Sequence, residues 1–125
     1  MTGPVLVAED DPTTTRLLLL TLRSLGREIH HAADGETAVE LARQLDPALL
    51  VLDLNLPRRS GIEVVVALRR DPRTRDLPIL VLSSVSQPET QERLREAGAD
   101  DFLPKPVNLK ALGEHCRMLL DRARP

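Results

Sequence analysis

Aromatic residues are almost missing: Phe102 stands alone among 125 positions, with neither tryptophan nor tyrosine anywhere in the chain. Aliphatic side chains must therefore build the core, and a domain of this length can bury roughly two-thirds of the surface its unfolded chain would expose. Cysteine is as scarce. Cys116 has no partner within the chain, which excludes an internal disulfide and points to a reducing, cytoplasmic compartment with the thiol packed in the core. No long apolar run exists, and the opening "MTGPVLVAEDD" reaches acidic residues almost at once, so neither a signal peptide nor a membrane span is expected. A surplus of positive charge is lacking too. The formal net charge is −2, and the arginines at 58–59 and in "RRDPRTR" are interspersed with Glu63, Asp71 and Asp76, which predicts a solvated face and no direct contact with nucleic acid.

Repeats, linkers and low-complexity tracts do not interrupt the chain. What is there instead is an alternation. Short apolar runs at 5–8, 29–32, 49–53, 79–82 and 102–103 are separated by five longer segments of helical period, and strand–helix alternation of this kind calls for a parallel sheet covered on both faces. Asp11 as N-cap, Pro12 in the first turn and Gly26 past the end mark the first helix. The second starts after Asp34, the third stops before Pro72, and the fourth closes at Gly98. In the fifth, Leu109, Leu112, Cys116, Leu119 and Leu120 recur at intervals of three and four and predict its buried face. Five such units fall short of the eight that close a barrel, so the fold class is an open, doubly wound α/β sheet. Pro104 suits an edge strand, where a missing N–H breaks no inner ladder bond.

In an open parallel sheet, ligands collect beyond the carboxyl ends of the strands. The first strand ends in Glu9, Asp10 and Asp11, the third in Asp53, the fourth in Ser83, and Lys105 follows the fifth. Asp11 is accounted for as a helix cap; Glu9 and Asp10 are not. Carboxylates gathered this closely repel and rise in pKa unless a cation joins them. Mg²⁺, which takes oxygen ligands and keeps several waters, suits Glu9, Asp10 and Asp53. A hydroxyl from Ser83 and an ammonium from Lys105 suit the oxygens of a phosphoryl group on Asp53, which gives the apolar run 79–82 a reason to end in a serine.

The segments "VLVAEDDP", "VLDLNLPRRSGIEVV", "LPILVLSS" and "AGADDFLPKPV", with Ser83 thirty and Lys105 fifty-two positions after Asp53, closely resemble the receiver domain of bacterial two-component response regulators, of the chemotaxis type, over essentially the whole chain. The resemblance implies a flavodoxin-like sheet of strand order 2-1-3-4-5 with five helices, and a phosphoacceptor, Asp53, charged by the phosphohistidine of a sensor kinase or phosphotransfer protein. It also implies Mg²⁺ bound by Asp10, Asp53 and the backbone carbonyl of Asn55, with Glu9 acting through water. Ser83 and Lys105 would contact the phosphoryl oxygens, the Lys105–Pro106 bond would be cis, and Phe102 would be the aromatic switch that remodels the surface of helix four, strand five and helix five toward a downstream protein. Val85 is expected to influence access of water to the aspartyl phosphate.

Several residues carry milder expectations. His30 and His31 are placed far from the acidic edge, and His115 as a surface residue beside the apolar stripe of the last helix rather than a phosphoacceptor. Leucines left exposed in the run 17–20, with Thr14, Pro106 and Val107, form the expected kinase-docking surface. The sequence reads as a single-domain regulator over 1–125, a signalling domain that catalyses only its own phosphorylation and dephosphorylation. One alternative is a receiver within a longer regulator bearing a DNA-binding or enzymatic output domain. The other is an aspartate-nucleophile phosphatase, disfavoured because Asn55 stands where such an enzyme needs an acid two positions after its nucleophile.

Overall fold

The computed structural model describes residues 3–84 and 88–122. Each apolar run becomes a strand and each periodic segment a helix: β1 (Val5–Ala8), α1 (Pro12–Leu22), β2 (Ile29–Ala32), α2 (Gly35–Leu45), β3 (Leu49–Asp53), α3 (Gly61–Arg70), β4 (Ile79–Ser83), α4 (Pro88–Ala97), β5 (Asp101–Pro104) and α5 (Leu109–Arg122). All pairings are parallel, and the strand order is β2-β1-β3-β4-β5. β5 is an edge strand, as Pro104 requires. β4 runs one residue further than the apolar pattern, because Ser83 pairs with Pro104.

Side chains alternate across a strand, and the sheet accordingly separates two cores. Leu6, Leu50, Leu52, Ile79 and Val81 face α2, α3 and α4 through Ala38, Val39, Val64, Leu68 and Leu94. Val5, Val7, Leu49, Val51, Leu80 and Leu82 face α1 and α5 through Leu18, Leu22, Leu112, Cys116 and Leu119. β1, β3 and β4 carry apolar residues on both faces and are buried throughout, so truncating any one of these leucines to alanine would cost about 2–5 kcal/mol. Burial also pushes the Cys116 thiol up to about 12. Leu109 departs from the expected face of α5: it opens the helix and is 38% exposed, while Leu112, Cys116, Leu119 and Leu120 are buried.

The helix ends follow local chemistry. Asp11 caps α1 and Asp34 caps α2 through the amides of Thr14 and Thr37. Ser60 and Glu63 form a reciprocal capping box at α3. After α1 the chain tightens into a 3₁₀ turn, Arg23–Leu25, and leaves it through Gly26 at φ +70°, a left-handed conformation that glycine adopts without a Cβ penalty. The arginine-rich stretch is only partly the solvated face its sequence suggests. Arg73 and Arg43 pair with Asp71 and Arg59 pairs with Glu36. Arg69 turns inward, donating to the carbonyls of Leu77 (2.7 Å), Arg75 (3.0 Å) and Gly98 (3.0 Å) and to Asp100 (3.0 Å). That guanidinium ties the α3–β4 connection to the α4–β5 connection. No helix among the described residues is long and apolar enough to cross a membrane.

Candidate functional site

Glu9, Asp10 and Asp53 each offer an oxygen, and these atoms all lie within 4.8 Å of one another. Sheet register produces the cluster: Ala8 pairs with Leu52 across β1 and β3, so the residues that follow emerge together. Glu9 is 1% and Asp53 3% exposed, whereas Asp10 is exposed. Glu9 Oε2 accepts the amides of Asp10 (3.1 Å) and Asp11 (3.2 Å). Asp53 Oδ1 accepts the amide of Asn55 at 3.3 Å. The Lys105 ammonium enters from beyond β5, 3.0 Å from Asp53 Oδ1 and 3.3 Å from Glu9 Oε1.

Asp11 stands apart. Its carboxylate takes the Thr14 amide (2.8 Å) and hydroxyl (2.7 Å), and those hydrogen bonds hold its pKa below the usual range. Burial does the opposite to Glu9, raising its pKa; the Asp11 amide opposes this, the neighbouring Asp53 adds to it, and Lys105 works against it. For Lys105 burial alone would lower the pKa, but hydrogen bonding and attraction to Asp53, then Glu9, outweigh it and the net direction is up. The edge thus holds three acids and one firmly charged ammonium.

Close backbone packing fixes the frame. The Leu54 amide donates to Leu82 (2.9 Å), the Gly61 amide to Leu54 (2.7 Å) and the Lys105 amide to Ser83 (2.9 Å). A Cβ at Gly61 would stand 2.7 Å from Leu54 Cα, so the return of the β3–α3 loop to Leu54 demands glycine. Arg58 in the same loop takes φ +71°, and the Lys105–Pro106 peptide bond is cis.

Residues 5–117 match the sequence profile of the response regulator receiver domain. The chain belongs to that family. It is 38% identical over 118 residues to the DNA-binding dual master transcriptional regulator RpaA of Synechocystis sp., covering 94% of this chain and 49% of RpaA. The chain spans about half the length of the curated relatives it matches. Among solved structures, the Vibrio cholerae chemotaxis protein CheY4 superposes with a TM-score of 0.88 at 28% identity, covering 95% of this chain and 99% of that one. The receiver domain of the sensor histidine kinase PA1611 from Pseudomonas aeruginosa superposes with a TM-score of 0.87 at 26% identity over 97% of this chain and 99% of that one, and holds a magnesium ion in its active-site cleft. The phosphoacceptor role in two-component signalling follows from this membership.

Around this cluster the receiver differs from its sequence reading in one respect and adds a contact that the sequence does not announce. His31 is not far from the acidic edge: its Nε2 lies 2.7 Å from the Glu9 carbonyl, with the Thr15 hydroxyl 3.5 Å from the same oxygen. β2 pairs Ala8 with Ala32, which brings the imidazole of the preceding residue alongside the end of β1. Phe102 is half-buried on β5, with the Arg95 guanidinium 5.4 Å from its ring centroid. A cavity of about 300 Å³ adjoins the ring, lined by Ser83, Thr90, Gln91, Leu94 and Lys105. His115 lies on α5 and, instead of standing open on the surface, is half-buried with Nδ1 2.5 Å from Asp101 Oδ2. Leu17 and Leu20 are 47% and 54% exposed on α1; Pro106 is exposed, and Thr14 and Val107 are half-buried. Val85 lies outside the described residues.

Proposed function

We propose that Asp53 is the phosphoacceptor of this receiver, taking its phosphoryl group from the phosphohistidine of a sensor kinase or histidine phosphotransfer protein. The supporting observation is the buried Asp53 carboxylate at the end of central strand β3, 3.0 Å from the Lys105 ammonium and within 4.8 Å of two further carboxylates. A carboxylate oxygen attacks phosphorus, the phosphorus–nitrogen bond to imidazole breaks, and an acyl phosphate forms. Lys105 donates to one phosphoryl oxygen and the Ser83 hydroxyl to another.

The donor set fits Mg²⁺. Two buried carboxylates and an exposed third are hard oxygen ligands whose charge a single ammonium leaves unbalanced. Asp10 and Asp53 would hold the ion with the backbone carbonyl of Asn55, and Glu9 through water; once bound, it supplies positive charge facing the phosphoryl oxygens. Ser83 then draws toward the new phosphoryl group and leaves room for Phe102, and the α4–β5–α5 surface changes its affinity for a downstream protein because the partner binds the two states differently.

This reading makes the receiver a cytoplasmic signalling domain that acts on no substrate beyond its own phosphoryl group and binds neither nucleic acid nor membrane itself. The kinase or phosphotransfer protein docks over Leu17, Leu20, Thr14, Pro106 and Val107. A groove of about 500 Å³ beside Asp10, lined by Arg16, Leu19, Leu20 and Arg23, extends this surface. A second reading, a receiver inside a longer regulator with a DNA-binding output domain, is favoured by the chain spanning about half of RpaA.

The test is phosphorylation by acetyl phosphate or a phosphohistidine donor in Mg²⁺, followed by intact mass. One hydroxylamine-labile phosphoryl group is expected on the wild type and none on Asp53→Asn. Incorporation at the wild-type rate in Asp53→Asn overturns the assignment.

A further inference from the structure

We infer that Arg95 is a positioning residue: it holds the Phe102 ring in its outer seat and thereby sets how much of the receiver occupies the activated conformation before a phosphoryl group arrives. The inference rests on the reading of Phe102 as the moving ring and identifies what that ring must leave behind.

The backbone of Phe102 is pinned, while its half-buried ring packs at the margin of the core with Arg95 over it. The Phe102 amide donates to Asp101 Oδ1 at 2.8 Å, the other oxygen of Asp101 is engaged by His115 of α5, and Phe102 pairs with Val81 across β4 and β5. Any large movement is therefore rotation of the side chain between staggered wells. The cavity beside it, about 300 Å³, exceeds the roughly 150 Å³ that accommodates a benzene ring in a protein interior. Leu94 and Leu103 give it apolar walls beside the hydroxyls of Ser83 and Thr90, so a ring that turns inward gains apolar contact on part of its surface. A phenylalanine has no hydroxyl to hydrogen-bond in either seat, so the specific contact that distinguishes the outer seat is the guanidinium of Arg95, 5.4 Å from the centroid and inside the roughly 6 Å range of cation–π attraction. Glu92, one turn earlier on α4, keeps the guanidinium there through an ion pair at 3.2 Å. Arg95 is exposed and contacts none of the acidic cluster, so its removal leaves the phosphoryl site itself untouched.

Linkage gives the effect its sign. The factor by which Arg95 favours the outer seat is the factor by which its loss tightens any ligand that favours the inner seat. An exposed cation–π contact corresponds to about a two- to fivefold change in that equilibrium. The experiment incorporates fluorinated phenylalanine, which gives one ¹⁹F resonance, and titrates beryllofluoride as phosphoryl mimic in Mg²⁺. Arg95→Gln should move the resonance of the free protein toward its mimic-saturated position and tighten beryllofluoride about two- to fivefold. Arg95→Lys, which keeps a cation, should stay near wild type. In a Phe102→Leu background, which carries no label and whose beryllofluoride affinity is read by calorimetry, Arg95→Gln should leave the affinity unchanged, since a gain in binding that depends on the ring is not what a merely structural loss produces. Unchanged shift and affinity in Arg95→Gln, weaker binding, or a gain that persists without the ring overturns the role of Arg95. A wild-type resonance indifferent to bound beryllofluoride overturns instead the reading of Phe102 as the moving ring.

Discussion

Replacing Lys105 with methionine removes the one cation in contact with the acidic cluster among the described residues while keeping a side chain of similar reach. The ammonium stands 3.0 Å from Asp53 and 3.3 Å from Glu9; at an effective dielectric of about 20 each contact is worth about 5 kcal/mol gross. Most of this does not survive as net stability. The lysine side chain is about one-quarter exposed, its own desolvation and ordering costs vanish with it, and Glu9, already raised in pKa by burial, can take up a proton. Removing one partner of a buried pair commonly costs about 3–5 kcal/mol, and solvent screening at this partly open site reduces that to about 2–3 kcal/mol. For a domain of this size the melting temperature should fall by about 10 °C. The assay is thermal unfolding at pH 7 in chelator and again in saturating Mg²⁺. The deficit should be large in chelator, shrink in Mg²⁺, and shrink as pH falls and Glu9 protonates. Equal melting temperatures in chelator would refute the view that Lys105 balances the cluster.

Arg69→Ala should destabilise the fold by about 3 kcal/mol, read from urea unfolding, because hydrogen bonds from a guanidinium to buried carbonyls rank among the stronger ones; a loss below about 1 kcal/mol would show that the arginine does not join the two connections. The Asp71 pKa is lowered to about 2, first by the Arg73 side chain and its amide and then by attraction to Arg73 and Arg43. A depressed carboxylate stabilises the fold above its ordinary pKa and loses that contribution as pH falls toward about 2. Wild type should therefore unfold at higher temperature than Asp71→Asn at pH 5, with the gap closing on acidification below pH 4; a pH-independent gap would contradict the ion-pair origin.

Period and punctuation in the sequence carry the fold because each of the three central strands has only one way to bury both faces. The run 49–53 is apolar up to its final aspartate, and it becomes β3, buried throughout. The shared edge of the candidate site is legible for the same reason: once strand ends are known, parallel register brings Glu9, Asp53 and Ser83 together. What sequence reasoning misses depends on side-chain direction and reach. His31 approaches the Glu9 carbonyl because β2 lies beside β1, an adjacency set by strand order rather than by any local signal. Leu109 fits the heptad-like spacing yet stays exposed, since periodicity cannot say where along a helix the sheet beneath it ends. Arg69 and Arg95 look alike in a charged helix pattern, but one is drawn under by carbonyls and the other lies over a ring.

The position of β1 between β2 and β3 also has a consequence for the chain while it is being made. Val5 meets Ile29 on one edge and Leu49 on the other, so β1 emerges with both edges bare and no local hairpin available to cover them. At about 5–20 residues per second it waits on the order of seconds for its second partner. A bare apolar strand invites pairing with a neighbouring copy, and charged residues placed beside it discourage that. Glu9, Asp10 and Asp11 follow β1 directly. Glu9 and Asp10, which crowd one edge of the finished sheet, therefore also put negative charge beside the strand that is bare longest, where charge disfavours pairing between copies.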